Sequence, residues 1–149
     1  MAGGVSNGAG RIVVGVDGSP SSLAALGWAH HQCERTGASL VVVGAWGFPI
    51  YVAEPNIWPV DIDLQSIVRH QLQNAIDRVI PGRSSVHTII VVRRSSPALA
   101  LLDESEGADL LVVGTRGHGE FAEMLLGSVS LRCVAHARCP VVVVHAPAA

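Results

Sequence analysis

Apolar runs and amphipathic stretches alternate along this chain from Ile12 to His145. Ile12-Val13-Val14-Gly15-Val16 is short and continuously apolar, as in a strand covered on both faces. Asp17-Gly18-Ser19-Pro20 ends it, with Ser19 suited to cap a helix and Pro20 to begin one. Leu23, Leu26, Ala29 and Cys33 then recur at helical spacing to about Arg35, and Gly37 stops the helix. Leu40 to Trp46 reads as a second strand, and Gly47 to Val60 as a long loop rich in proline and aromatics. Asp61 to Ile80 carries the clearest amphipathic pattern, with Leu64, Ile67, Val68, Leu72, Ala75, Ile76, Val79 and Ile80 apolar, before Pro81-Gly82. Val86 to Val92 is a third strand, with His87, Thr88 and Arg93 at its ends as suits a sheet edge. Ser96-Pro97 opens a short helix to about Glu104, Asp109 to Val113 is a fourth strand, Ser128 to Ala137 a last helix, and Pro140 to His145 a fifth strand.

Five apolar strands separated by helices predict an α/β fold: an open parallel five-stranded sheet with helices on both faces, in three layers. Ligands of such sheets bind beyond the carboxyl ends of the strands, which here fall at Asp17, Ala45-Trp46, Arg93-Arg94 and Gly114. With 149 residues, 49% of them hydrophobic and 15% charged, the chain is sized for one folded domain without a disulfide or metal staple. The small, polar start lacks the apolar stretch of a secretory signal. The expected organisation is a leader over 1–10, a domain over 11–146 and a tail over 147–149.

Charge and cysteine content narrow the chemistry. A net charge of −2 argues against a general nucleic-acid binder. All ten basic residues are arginine, which excludes a P-loop with its phosphate-binding lysine. Cys33, Cys133 and Cys139 form no CxxC pair and read as reduced thiols of a cytoplasmic protein, Cys133 and Cys139 as small hydrophobes rather than a redox couple. The seven histidines show no metal-ligand spacing.

The chemistry-bearing segment follows the fourth strand. Gly114-Thr115-Arg116-Gly117 and then Gly127-Ser128 give the spacing G-x2-G-x9-G-[ST]. Glycines here let backbone N–H groups approach an anion closely, and the helix starting near Gly127-Ser128 turns its dipole and unpaired N–H groups toward phosphate. Ser128 and Ser130 can add hydroxyl donors from the first turn, and Ser128 equally suits a plain N-cap. Arg116 is either solvated or within reach of a γ-phosphate. Asp17 is either a turn residue or a carboxylate for an adenine amino group, ribose hydroxyls or a hydrated Mg²⁺. Gly117 to Ala122 also matches G-x-G-x-x-A, but Arg138 and Cys139 stand about where a dinucleotide site needs its acidic residue. Trp46, Tyr51 and Trp58 read as packing the long loop over the core, or as a lid on the base.

From Arg11 to His145 the chain resembles the universal stress protein family, in its ATP-binding branch. The resemblance rests on Val-Val-Gly-Val-Asp-Gly-Ser at 13–19, Gly-Ala-Asp-Leu-Leu-Val-Val-Gly at 107–114, the glycine spacing, and Cys-Pro-Val-Val-Val-Val at 139–144. It implies a Rossmann-like fold of the adenine nucleotide alpha hydrolase type, strand order 3-2-1-4-5, a homodimer, and ATP between the first and fourth strands. It assigns phosphate to Gly114, Gly117, Gly127, Ser128, Val129 and Ser130, the ribose to Gly15, Val16 and Gly114, and adenine to Asp17 and the backbone near Ala45. Mg²⁺ would be held mainly by the phosphates.

The function so implied is a cytoplasmic nucleotide-dependent switch or sensor in stress response rather than a turnover enzyme. No carboxylate pair, Ser/His/Asp set or G-x-S-x-G elbow supports efficient hydrolysis, though slow autohydrolysis is compatible. The alternatives are a site for another adenine nucleotide such as cyclic AMP, an interaction module without ATP, and an enzyme transferring or cleaving an adenylyl group. Val141 to Val144, apolar and little protected by charge, is the expected edge for pairing with a second copy.

Overall fold

Strand and helix alternate in the computed structural model, which describes residues 10–47, 63–116 and 126–147. The elements are β1 (Arg11–Gly15), α1 (Pro20–Thr36), β2 (Ser39–Trp46), α2 (Leu64–Val79), β3 (Thr88–Arg94), α3 (Pro97–Glu104), β4 (Leu110–Gly114), α4 (Ser128–His136) and β5 (Val141–Val144). The five strands form one sheet in the order β3-β2-β1-β4-β5, parallel throughout. Both edges are the strands expected there. The leader through residue 9, the long loop over 48–62 with Tyr51 and Trp58, the segment 117–125 with Gly117, and the last two residues lie outside the described residues.

Period-two alternation divides the strands between two cores. Ile12, Val14, Leu40, Val42 and Val112 face α1 and α2, joining Leu26, Ala29, Cys33, Leu72 and Ala75. Val13, Val41, Val43, Leu111 and Val113 face the other way, onto Ala100 and Leu101 of α3 and Cys133 of α4. A strand buried on both sides must be apolar at every position, hence the unbroken valine runs. Leu26, Leu40 and Leu111 are wholly buried, and truncating any of them to alanine costs about 2–5 kcal/mol.

The helix ends follow local chemistry. Ser19 Oγ accepts the Ser22 N–H at 3.3 Å, Pro20 fills the first position of α1, and Gly37, with φ of 81°, donates its N–H to the Cys33 carbonyl at 2.8 Å. Asp63 caps α2 through Ser66, and Ser96 caps α3. Two boundaries differ from the sequence reading. Gly127, not Ser128, holds the N-cap position of α4, and as a glycine it contributes no side-chain cap. A glycine with φ of −77° and ψ of 174° turns the chain there, and Ser128 becomes the first helical residue. β3 starts at Thr88 and continues through Arg94, because Ala45 and Trp46 pair with Arg93 and Arg94.

Candidate functional site

The strand order reverses between β1 and β4: the chain first proceeds outward through β2 and β3, then returns to add β4 and β5 on the other side. A cavity of about 430 Å³ opens beyond the carboxyl ends of these strands. That volume suits a nucleotide-sized ligand, since small-molecule sites typically enclose about 300–1,000 Å³. Gly15, Val16 and Asp17 reach it from β1 and the turn that follows. Ala45 lies on it from β2, Gly114 and Arg116 from the end of β4, and Gly127, Val129 and Ser130 from α4. Nine of the residues singled out in the sequence therefore meet at one place. Ser128 is exposed and is not among the described residues of the cavity wall.

The β4–α4 side is tied together by backbone and hydroxyl groups. The Thr115 carbonyl accepts the Gly127 N–H at 2.7 Å and the Ser130 hydroxyl at 2.9 Å. Thr115 also donates its own N–H to the Val144 carbonyl at 3.0 Å, so this junction is anchored to β5. The Ser21 hydroxyl donates to the Arg116 carbonyl at 2.6 Å, fixing the start of the glycine segment to the first turn of α1. Ser130, buried at 2% exposure, directs its hydroxyl at the Thr115 and Gly127 carbonyls. The N–H groups of Ser128, Val129 and Ser130 have no acceptor within α4 by helical geometry, and they carry the positive end of its dipole.

Gly114 has a packing role as well as a place on the wall. A Cβ there would sit 2.7 Å from the Ser21 carbonyl carbon and 2.8 Å from the Ser22 nitrogen, both backbone atoms. The absent side chain lets α1 press its first turn onto the end of β4. A Cβ on Gly15 would meet Leu101 Cδ1 at 2.7 Å. Asp17 Oδ1 accepts the Ser19 N–H at 2.9 Å, and the Asp17 N–H donates to Ser22 Oγ at 3.2 Å, so this carboxylate also shapes the turn into α1.

The opposite side was not anticipated. Val68, Gln71 and Leu72 of α2 line the cavity, as do Gly44 of β2 and Pro97 and Leu101 of α3. Gly44 supplied the available signal: a glycine inside the apolar run of β2 marks a close approach of another element. A Cβ there would lie 2.9 Å from Leu72 Cδ1 and 3.0 Å from Val68 Cγ1.

Other candidate chemistry lies elsewhere. Cys33 and Cys133 are buried, and burial raises both thiols to about 11. Burial is also the largest cause of the upward shift at half-buried Cys139. Among the described residues, no group of three or more His, Cys, Asp and Glu side chains is arranged to hold a metal. His30 is buried and lies 2.6 Å from the Ser84 hydroxyl, joining α1 to the turn before β3. The Arg94 guanidinium stacks over the Trp46 ring at 5.4 Å to its centroid.

Residues 8–145 match the model of the universal stress protein family. The chain belongs to that family. Universal stress protein Rv2623 of Mycobacterium tuberculosis is 38% identical over 134 residues, covering 89% of this chain and 44% of the relative. This universal stress protein chain thus spans about half the length of the curated relatives it matches. Among solved structures, a universal stress protein in complex with cAMP is 26% identical with a TM-score of 0.66, over 93% of this chain and 98% of that one. Universal stress protein UspA from Lactobacillus plantarum superposes with a TM-score of 0.77 at 23% identity, over 91% of this chain and 97% of its own, which supports the fold. Among the described residues of the present family member, no helix is long and apolar enough to cross a membrane.

Proposed function

We propose that this protein binds ATP in the cavity at the β1/β4 crossover and acts as a nucleotide-dependent switch or sensor in stress response. The observation that carries the reading is a nucleotide-sized cavity flanked by the N-terminus of α4, in a chain of this family. The phosphates are expected at the Ser128, Val129 and Ser130 N–H groups, beside Gly114, Gly117 and Gly127, with Arg116 adding positive charge. The ribose lies against Gly15 and Val16, and the base near Asp17 and Ala45. Mg²⁺ would enter with the phosphates, and Asp17 is the carboxylate among the described residues of the wall that could share it. Among the described residues, that wall contains no histidine, cysteine or glutamate, which favours holding a nucleotide over rapid turnover.

The complex with cAMP gives a second reading its support: a cyclic adenine nucleotide in the same cavity. Titration calorimetry with Mg-ATP, ATP without metal, and cyclic AMP decides between them, together with mass spectrometry of nucleotide released from protein purified from cells. The ATP reading expects ATP to bind more tightly than cyclic AMP and to be the nucleotide released. Absence of any adenine nucleotide in both measurements overturns it. A linear accumulation of ADP over many turnovers would instead make the protein an enzyme.

The reading includes a homodimer through β5. Val141–Val144 is an edge strand of four half-buried valines, and α4, which packs against it, exposes Leu131 and Val134. Pairing two copies by a two-fold axis would cover this edge. A cytoplasmic location is part of the same proposal. Light scattering at micromolar concentration should give the dimer mass, and a monomer there removes this element of the proposal.

A further inference from the structure

The β2–α2 side of the cavity holds a polar side chain that no described residue engages. Gln71 lines the cavity from α2, and its side chain makes no hydrogen bond to any described residue. The serines of the wall are engaged differently. Ser19 caps α1, Ser22 links the Asp17 N–H to the Ser19 carbonyl, and Ser130 bonds the Thr115 and Gly127 carbonyls. Gln71 therefore offers an uncommitted acceptor, Oε1, beside an uncommitted donor, Nε2.

Its surroundings say what such a group could meet. Val68, Gln71 and Leu72 stand at i, i+3 and i+4 of α2 and share one face. The methyl groups of Val68 and Leu72 close over Gly44, where a side chain would collide with them. The wall here is apolar, with one exposed carboxamide on it. The anion-attracting end is on the opposite side, at the N-terminus of α4 beside β4. From β4 across β1 to β2 is two strand spacings, about 10 Å. A nucleotide with its phosphates at α4 thus extends its base toward Gly44, Val68, Leu72 and Gln71.

We infer that Gln71 reads the base: Oε1 accepts a hydrogen bond from the exocyclic 6-amino group of a 6-aminopurine, and Nε2 donates to the neighbouring ring nitrogen. Val68 and Leu72 supply apolar contact to the ring. This specificity role rests on the nucleotide reading above, and it holds equally for a linear or a cyclic phosphate. A bidentate carboxamide–adenine pair is the standard way for a side chain to recognise this donor–acceptor pattern.

The test compares ATP with purine riboside triphosphate, which lacks the 6-amino group, on the full chain and on Gln71→Leu. Gln71 is exposed and leucine is as good a helix former, so the variant should fold; an unchanged urea midpoint checks this. The native protein should bind ATP about tenfold more tightly than the analogue, and Q71L should bind the two nearly equally. If Q71L binds ATP and keeps the native ratio, the base-reading role is wrong while the nucleotide site stands. If the native protein binds neither nucleotide, the site reading itself fails and this inference goes with it.

Discussion

The two sides of the cavity are built in opposite ways. On the β4–α4 side the contacts are backbone to backbone or hydroxyl to backbone: Thr115 to Gly127, Ser130 to Thr115, Ser21 to Arg116. On the β2–α2 side they are side-chain methyl groups of Val68 and Leu72 pressed toward Gly44. Backbone cannot retreat without moving an element, whereas a side chain can change rotamer. The first side should be intolerant of added volume and the second adaptable.

The largest effect expected from this contrast is at Gly114. Gly114→Ala puts a methyl group into the backbone of Ser21 and Ser22 and should cost about 3 kcal/mol in chemical denaturation, with Gly114→Val too unstable to purify. Gly44→Ala meets only the ends of Leu72 and Val68 and should cost about 1 kcal/mol. Equal losses at the two glycines would break the distinction between the walls.

A smaller effect sharpens it. Ser21→Ala removes the 2.6 Å hydrogen bond to the Arg116 carbonyl, and should lower stability by about 1 kcal/mol while weakening ATP binding in calorimetry. Ser21 does not line the cavity, so an affinity loss would show that the backbone side works through its anchoring.

The smallest effect at neutral pH concerns the thiols at the centre of the two cores. Cys33 faces the α1–α2 core and Cys133 the α3–α4 core, and burial raises both from 9.0 to about 11. The folded state therefore retains protons that the unfolded chain gives up. The stability linked to them is complete below pH 9 and falls as pH rises toward 11. Thiolate absorbance in the folded protein should accordingly appear about two pH units later than in urea, and unfolding midpoints should decline over that interval.

Much of the fold was legible because both its signals are local. Valine runs covered on two faces declare buried parallel strands, and Ser19-Pro20, Gly37 and Ser96-Pro97 punctuate the helices where the structure has them. The β4–α4 side was legible for the same reason: its glycines and serines occur within one stretch of chain. Gln71, Val68 and Leu72 were not, because they stand more than twenty residues past the end of β2, on a helix where their spacing looks like any amphipathic face. Ser128 misled as a cap because serine usually takes that position; here the bend of Gly127 occupies it without a side chain.

The Thr115 carbonyl, accepting from both Gly127 and Ser130, brings the exit of one strand and the entry of the next helix to the same point. The start of α4 is therefore locked to the end of β4 through one carbonyl oxygen. Where the N-terminus of that helix points is thus decided by the sheet, and the two cannot be repositioned independently.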